Sequence, residues 1–161
     1  MLPLANREFR LPYTHRQDLE PFLHRLPGRS ILTADEQEAI LGLPSYFMEV
    51  RANHDFVGLR EDVDHASLVV DGLVGRFDQN RNGLRQITAI HLPGDMANLH
   101  SVVQPQATSA LQALSVTKIL RVPHEAIRAA TARLPALAEA LWRDCMVHAP
   151  ILSQWILNMG R

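Results

Sequence analysis

Apolar residues change their spacing twice along the chain, and each change marks a change of secondary structure. Across residues 16–26, Leu19, Phe22, Leu23 and Leu26 recur at helical intervals, which predicts an amphipathic helix stopped by Pro27-Gly28. Thr33 with Glu36 three positions later forms a capping-box pattern, and Ile40, Leu41 and Leu43 give a second short helix its apolar face before Pro44. From 46 to 123 the spacing shortens to runs of Val, Ile and Leu broken by turn residues, predicting strands near 46–51, 66–71, 73–79, 85–92 and 107–122. Asp71-Gly72 and Arg81-Asn82-Gly83 separate such runs and read as hairpin turns, because Asn, Asp and Gly tolerate positive φ. A short edge strand is expected at 55–59, where the bend carries Gly58. Beyond Pro123 the helical spacing returns, with a short helix over 124–133 and a single long one over 134–159.

The long helix carries the most specific pattern. Ala138, Leu141, Cys145, His148, Leu152, Trp155 and Met159 alternate steps of three and four, the seam of a helix that pairs with another helix. These seven are the expected dimer interface. Leu134, Leu137, Ile151 and Ile156 lie off the seam and predict that the helix also packs on its own sheet, while Pro150 should bend it. The fold class is therefore α+β and mainly β: an antiparallel roll or barrel, the roll being of the β-roll, jelly-roll-like kind, with short flanking helices and a long C-terminal dimerisation helix. The division expected is a β-rich domain over 1–133 and a pairing helix over 134–161.

Composition narrows the function. With 16 basic and 17 acidic residues and a net charge of −1, the chain lacks the basic excess by which proteins grip phosphates. A single cysteine, Cys145, excludes an internal disulfide and any cluster needing several thiolates from one chain. Neither a signal core nor a membrane-length apolar stretch is present, so no membrane partner and a cytoplasmic location are expected. Asp62 with Asp64, and Asp35 with Glu36, sit on loops and helix starts as solvated charges or caps, and no nucleophile has a base beside it. The chain is not expected to be an enzyme or to hold a metal. His91, His100 and His148 read as hydrogen-bonded or solvated histidines; the alternatives are His100 donating to an anion and His148 facing its own copy across a pH-sensitive interface.

The order of elements, with several short motifs, resembles the cyclic-nucleotide-binding domain of Crp/Fnr-type transcription regulators. Leu68-Val69-Val70-Asp71-Gly72-Leu73-Val74 is similar to that family's apolar strand, turn and return strand. His91-Leu92-Pro93-Gly94-Asp95 looks like its strand ending in Pro-Gly-Asp, and Arg121-Val122-Pro123 like the strand closing the roll. Leu134-Pro135-Ala136-Leu137 resembles the start of the dimerisation helix, and 155–161 its end. The likeness covers roughly 20–161 and implies a homodimer that senses an unknown small-molecule effector. It also implies DNA binding through a helix-turn-helix domain, which would follow Arg161 and is absent from this sequence. A stand-alone dimerisation module with no DNA binding is the alternative.

The resemblance also implies a ligand site. Gly94, Asp95, Met96, Ala97, Asn98 and Leu99 match the start of the family's phosphate cassette, with Gly94 allowing close backbone approach and Asp95 placed to hold a ribose hydroxyl. The family's arginine falls at Thr108, followed by Ser109, and no Lys or Arg occurs between Arg85 and Lys118. Burying a phosphate without its guanidinium costs on the order of 3 kcal/mol. At the base-recognition end only Ser153 keeps a hydroxyl. The pocket is thus expected to be degenerate, with a cyclic nucleotide not the favoured ligand and no cofactor required.

Overall fold

The computed structural model describes residues 13–26 and 31–159. Two short helices lead into the sheets: α1 (Arg16–Arg25) and α2 (Ala34–Leu41). Thr33 caps α2 as its sequence promised, with its hydroxyl accepting from Glu36 N at 3.4 Å and the Glu36 carboxylate accepting from Thr33 N at 2.7 Å. The expected stop at Pro27-Gly28 lies outside the described residues.

Among the described residues eight strands follow in chain order, β1 (Tyr13–Thr14), β2 (Pro44–Val50), β3 (His54–Val57), β4 (His65–Asp71), β5 (Val74–Gln79), β6 (Arg85–His91), β7 (Ala110–Ala113) and β8 (Thr117–Pro123). They form two four-stranded antiparallel sheets, ordered β1-β2-β8-β4 and β3-β7-β5-β6. The sheets close on each other around apolar residues such as Val69, Val74 and Ile119, while Leu68 and Leu120 face the other way into the cluster made with the helices; all five are fully buried. A mainly β antiparallel roll is what the spacing of apolar runs predicts.

Two expectations fail at the corners of the roll, for one reason. The run 107–122 is not one strand but β7 and β8, which lie in different sheets and are separated by Leu114, Ser115 and Val116. Asp71-Gly72 is likewise not a hairpin: β4 and β5 lie in different sheets, and only Arg81-Asn82-Gly83 joins paired strands. The two corners stack. Leu73 N donates to Ser115 Oγ at 3.0 Å and Leu114 N to Leu73 O at 2.8 Å. Gly72 has φ +91°, and a Cβ there would lie 2.6 Å from Val116 O, so only glycine fits where the chain switches sheets.

The C-terminal region departs further. The single helix expected over 134–159 is two, α4 (Pro135–Met146) and α5 (His148–Met159), preceded by α3 (His124–Arg133) and parted at Val147. Pro150 supplies the cause. In an unbroken helix it would offer no N–H to Met146 O, and its ring would strike that carbonyl; in the first turn of α5 neither matters. The stripe by which α4 docks is also offset from the expected seam: Leu137, Ala140, Leu141 and Asp144 are buried where α4 meets α3 and the 3-10 turn Leu99–Val102. Leu141 thus serves the domain's own core, with Cys145 packed at its edge, while Trp142 and Met146 are exposed. Among the described residues no helix is long and apolar enough to cross a membrane.

Candidate functional site

The segment from Leu92 to Asn98 is laid along β4 almost as another strand. Gly94 N donates to Val69 O, Val69 N to Asp95 O and Ala97 N to Ser67 O, at 2.8, 2.9 and 2.8 Å. Gly94 takes φ +90°, and its missing Cβ lets α1 approach, since one there would come within 3.3 Å of Pro21. Asn98 is buried and fully occupied: its Oδ1 accepts from Ser67 N at 2.7 Å, and its Nδ2 donates to His65 O at 3.1 Å. A four-residue 3-10 turn, Leu99–Val102, ends the cassette.

Asp95 does not stand free to meet a hydroxyl. Its Oδ2 accepts from Leu92 N at 3.0 Å, and its Oδ1 pairs with the Arg25 guanidinium at the end of α1. Arg25 also reaches Asp144 Oδ1 on α4 at 3.4 Å. Both aspartates are buried. One cation therefore ties together the first helix, the cassette and the helix that leaves the roll.

Beneath the cassette lies a cavity of about 230 Å³, walled by Met96, Ala97, Leu99, His100, Thr108, Arg76, Asp144 and Cys145. Of the sequence-derived candidates it gathers Met96, Ala97, Leu99 and Thr108. Gly94, Asp95 and Asn98 frame it without lining it. Ser109 turns its hydroxyl to Asp78, and Ser153 lies on α5; neither lines the cavity. For the expected dimer seam, Ala138, Leu141 and Cys145 flank a small apolar groove between α3 and α4. The side chains of His148, Leu152, Trp155 and Met159 lie outside the described residues.

Arg76 is the residue that inspection of the stretch 85–118 missed. Strand parity would have found it: Val74 is fully buried, and Arg76 two positions on shares its face. Its guanidinium donates to Ala97 O, and burial pushes its pKa down. Burial first and Arg76 second lower the pKa of His100, which leaves its imidazole neutral near pH 7. Burial raises the Cys145 thiol to about 11, so this wall is a neutral thiol. No group of three or more His, Cys, Asp or Glu is placed to hold a metal among the described residues.

Behind the cassette two further histidines are buried. His65 Nδ1 sits 2.8 Å from Asp64 Oδ1 and 3.0 Å from Arg121 Nη2, and His124 Nε2 shares a 2.7 Å hydrogen bond with Ser101 Oγ. Burial is the main cause lowering both pKa values; Asp64 opposes it at His65, and Arg128 adds to it at His124. The folded state thus binds fewer protons than the unfolded one as pH falls below the ordinary histidine value of 6.5. Stability is fully present above that value and is lost as pH falls toward the lower folded-state values. The urea midpoint is expected to be lower at pH 5.5 than at pH 7.5, with His124→Gln flattening the difference; a pH-independent midpoint would contradict this.

No protein-family model matches the chain. Over 72 residues, 45% of its length, it is 28% identical to an anaerobic regulatory protein of Haemophilus influenzae, and the matched segment spans 28% of that relative. Among solved structures it is similar to FixK2 from Bradyrhizobium japonicum, with a TM-score of 0.67 and 26% identity over 73% of this chain and 58% of that one. A cyclic nucleotide-binding domain from Methylobacillus flagellatus shares the fold with a TM-score of 0.68 at 12% identity, over 96% of this chain and 85% of that one. The sensor domain of the transcriptional regulator DNR from Pseudomonas aeruginosa does so at 0.66 and 16%, over 88% and 91%.

Proposed function

We propose that this chain, a cyclic-nucleotide-binding-type roll similar in sequence to anaerobic regulatory proteins, is the effector-sensing and dimerisation portion of a Crp/Fnr-type transcription regulator. The observation that carries this reading is that one cavity is walled by the cassette on one side and by Asp144 and Cys145 of α4 on the other. A ligand that fills it must touch the helix leaving the roll. Arg25 strengthens the coupling, because any shift of Asp95 changes its hold on Asp144. Occupancy would then bias how α4 and α5 are set, a population shift between two arrangements. DNA contact is assigned to a helix-turn-helix domain in the whole protein, consistent with the roll's net charge of −1.

The cyclic-nucleotide site itself is read as degenerate. Asp95 is held by Arg25, the N–H groups of Gly94 and Ala97 serve β4, and Thr108 replaces the family's arginine. Those are the groups a cyclic phosphate and its ribose would need.

Pairing is assigned to α4 and α5, and the exposed apolar side chains Trp142, Met146, Ile156 and Leu157 offer the surface. Met146→Glu and Leu157→Glu test it better than a charge at Leu141, which would break the core. Each removes a side chain whose burial contributes about 1.5–3 kcal/mol, so the dimer dissociation constant should rise tenfold or more. The thermal midpoint of the monomer should hold, as both side chains are more than 60% exposed, at 66% and 62%. Sedimentation equilibrium at micromolar concentration makes the comparison, and a monomeric parent protein would overturn the reading.

A further inference from the structure

We propose that the cavity beneath the cassette binds a small oxyanion, a carboxylate or phosphate group carried on a molecule smaller than a nucleotide, with Arg76 of β5 as its anchor. The proposal rests on the reading of the roll as a sensing domain and names what that domain would sense.

Charge balance is the first argument. Arg76 reaches into the cavity wall, and among the described residues no carboxylate forms an ion pair with it; its one hydrogen bond goes to the neutral Ala97 carbonyl. Asp78, the acid whose field reaches it, accepts from the Ser109 hydroxyl in place of Arg76. A guanidinium has five N–H donors in a planar fork matched to carboxylate and phosphate oxygens. Desolvating it without a counter-ion is unfavourable, a penalty that an anion entering the cavity would offset.

Position is the second. Arg76 pairs across the sheet with Leu111 of β7, and Thr108 lies just before that strand. The cation missing from position 108 is therefore supplied to the same cavity from the neighbouring strand. Thr108 adds a hydroxyl, and His100, neutral in this setting, adds a ring N–H.

Size and lining set the ligand class. At about 230 Å³ the space falls below the roughly 300 Å³ at which pockets for drug-sized ligands begin. Met96, Leu99 and the Cys145 thiol make an apolar wall that suits a short carbon body. Asp144 also lines the cavity, shared with Arg25, and it disfavours a second negative charge at that end. A singly headed anion fits better than a dianion extending across the cavity.

The test measures the thermal midpoint and calorimetric binding of the protein with inorganic phosphate, acetate and cyclic AMP, against chloride at equal ionic strength. Phosphate or acetate should raise the midpoint, and which of the two acts more strongly separates the two head groups. Arg76→Met should abolish the response, at least a tenfold loss of affinity, while the ligand-free variant melts no lower than the parent, because an unpaired cation has been replaced by an apolar chain of similar length. Arg76→Lys should keep a weakened response. A parent indifferent to both oxyanions, or an Arg76→Met variant that still responds, overturns the site. Cyclic AMP binding more tightly than either small anion overturns the size argument. Arg76-dependent binding by a protein that sediments as a monomer would keep the site and sink the dimeric sensor, so the two failures are distinguishable.

Discussion

Arg25→Met should lower the unfolding free energy by about 3 kcal/mol, the low end of the loss seen when one partner is removed from a buried ion pair. Asp95 and Asp144 are 8% and 5% exposed, and Arg25 is the cation they share, from α1. Without it two carboxylates face each other in a low-dielectric corner. The loss sits at the low end because the Arg25 side chain is itself 26% exposed, so water relieves part of the penalty, and because Asp95 keeps its bond from Leu92 N. The signature of this cause is non-additivity. Adding Asp144→Asn to Arg25→Met should recover a large part of the loss, whereas Asp144→Asn alone should destabilise the parent. Urea unfolding of the four proteins in the cycle reads the coupling; an Arg25→Met variant within about 0.5 kcal/mol of the parent would show the cluster to be energetically idle.

What could be read from the sequence follows from how far apart the interacting residues are. Local signals were legible: the Thr33–Glu36 box, the spacing of Leu19, Phe22 and Leu23, and the glycines at 72 and 94 whose backbones have positive φ. The corners of the roll were not, because β7 and β8 continue one apolar run while changing sheets, and periodicity carries no record of which sheet a strand joins. The Arg25–Asp144 pair spans 119 positions, and nothing near either residue announces the other. Arg76 is intermediate. Its inward parity is visible beside Val74, but the family's motif places the cation in the cassette and its flank, whereas the structure supplies one from another strand. The seam from Ala138 to Met159 presupposes an unbroken helix, and the break at Val147 removes that premise.

Pro150→Ala should restore it. A proline in a helix interior is about 3 kcal/mol less favourable than alanine, roughly a hundredfold in the equilibrium between broken and continuous forms. With alanine at 150, the N–H to Met146 O returns and the ring clash goes, so the 12-residue helices on either side of Val147 can merge. Opposing this are the contacts that α5 makes with β6. Ile156 and Leu157 stay more than half exposed, so these two side chains add little to what opposes the regained turn. Once continuous, the helix would carry the residues from Ala138 to Met159 along one line and project α5 away from the roll. The variant should therefore show a larger radius of gyration in solution scattering and a dimer dissociation constant lower by tenfold or more in sedimentation. It should also lose any dependence of that constant on an oxyanion, since the equilibrium that a ligand would bias has already been moved. If Pro150→Ala leaves both the radius and the dissociation constant unchanged, the contacts of α5 with the roll outweigh the proline, and the break is fixed rather than poised.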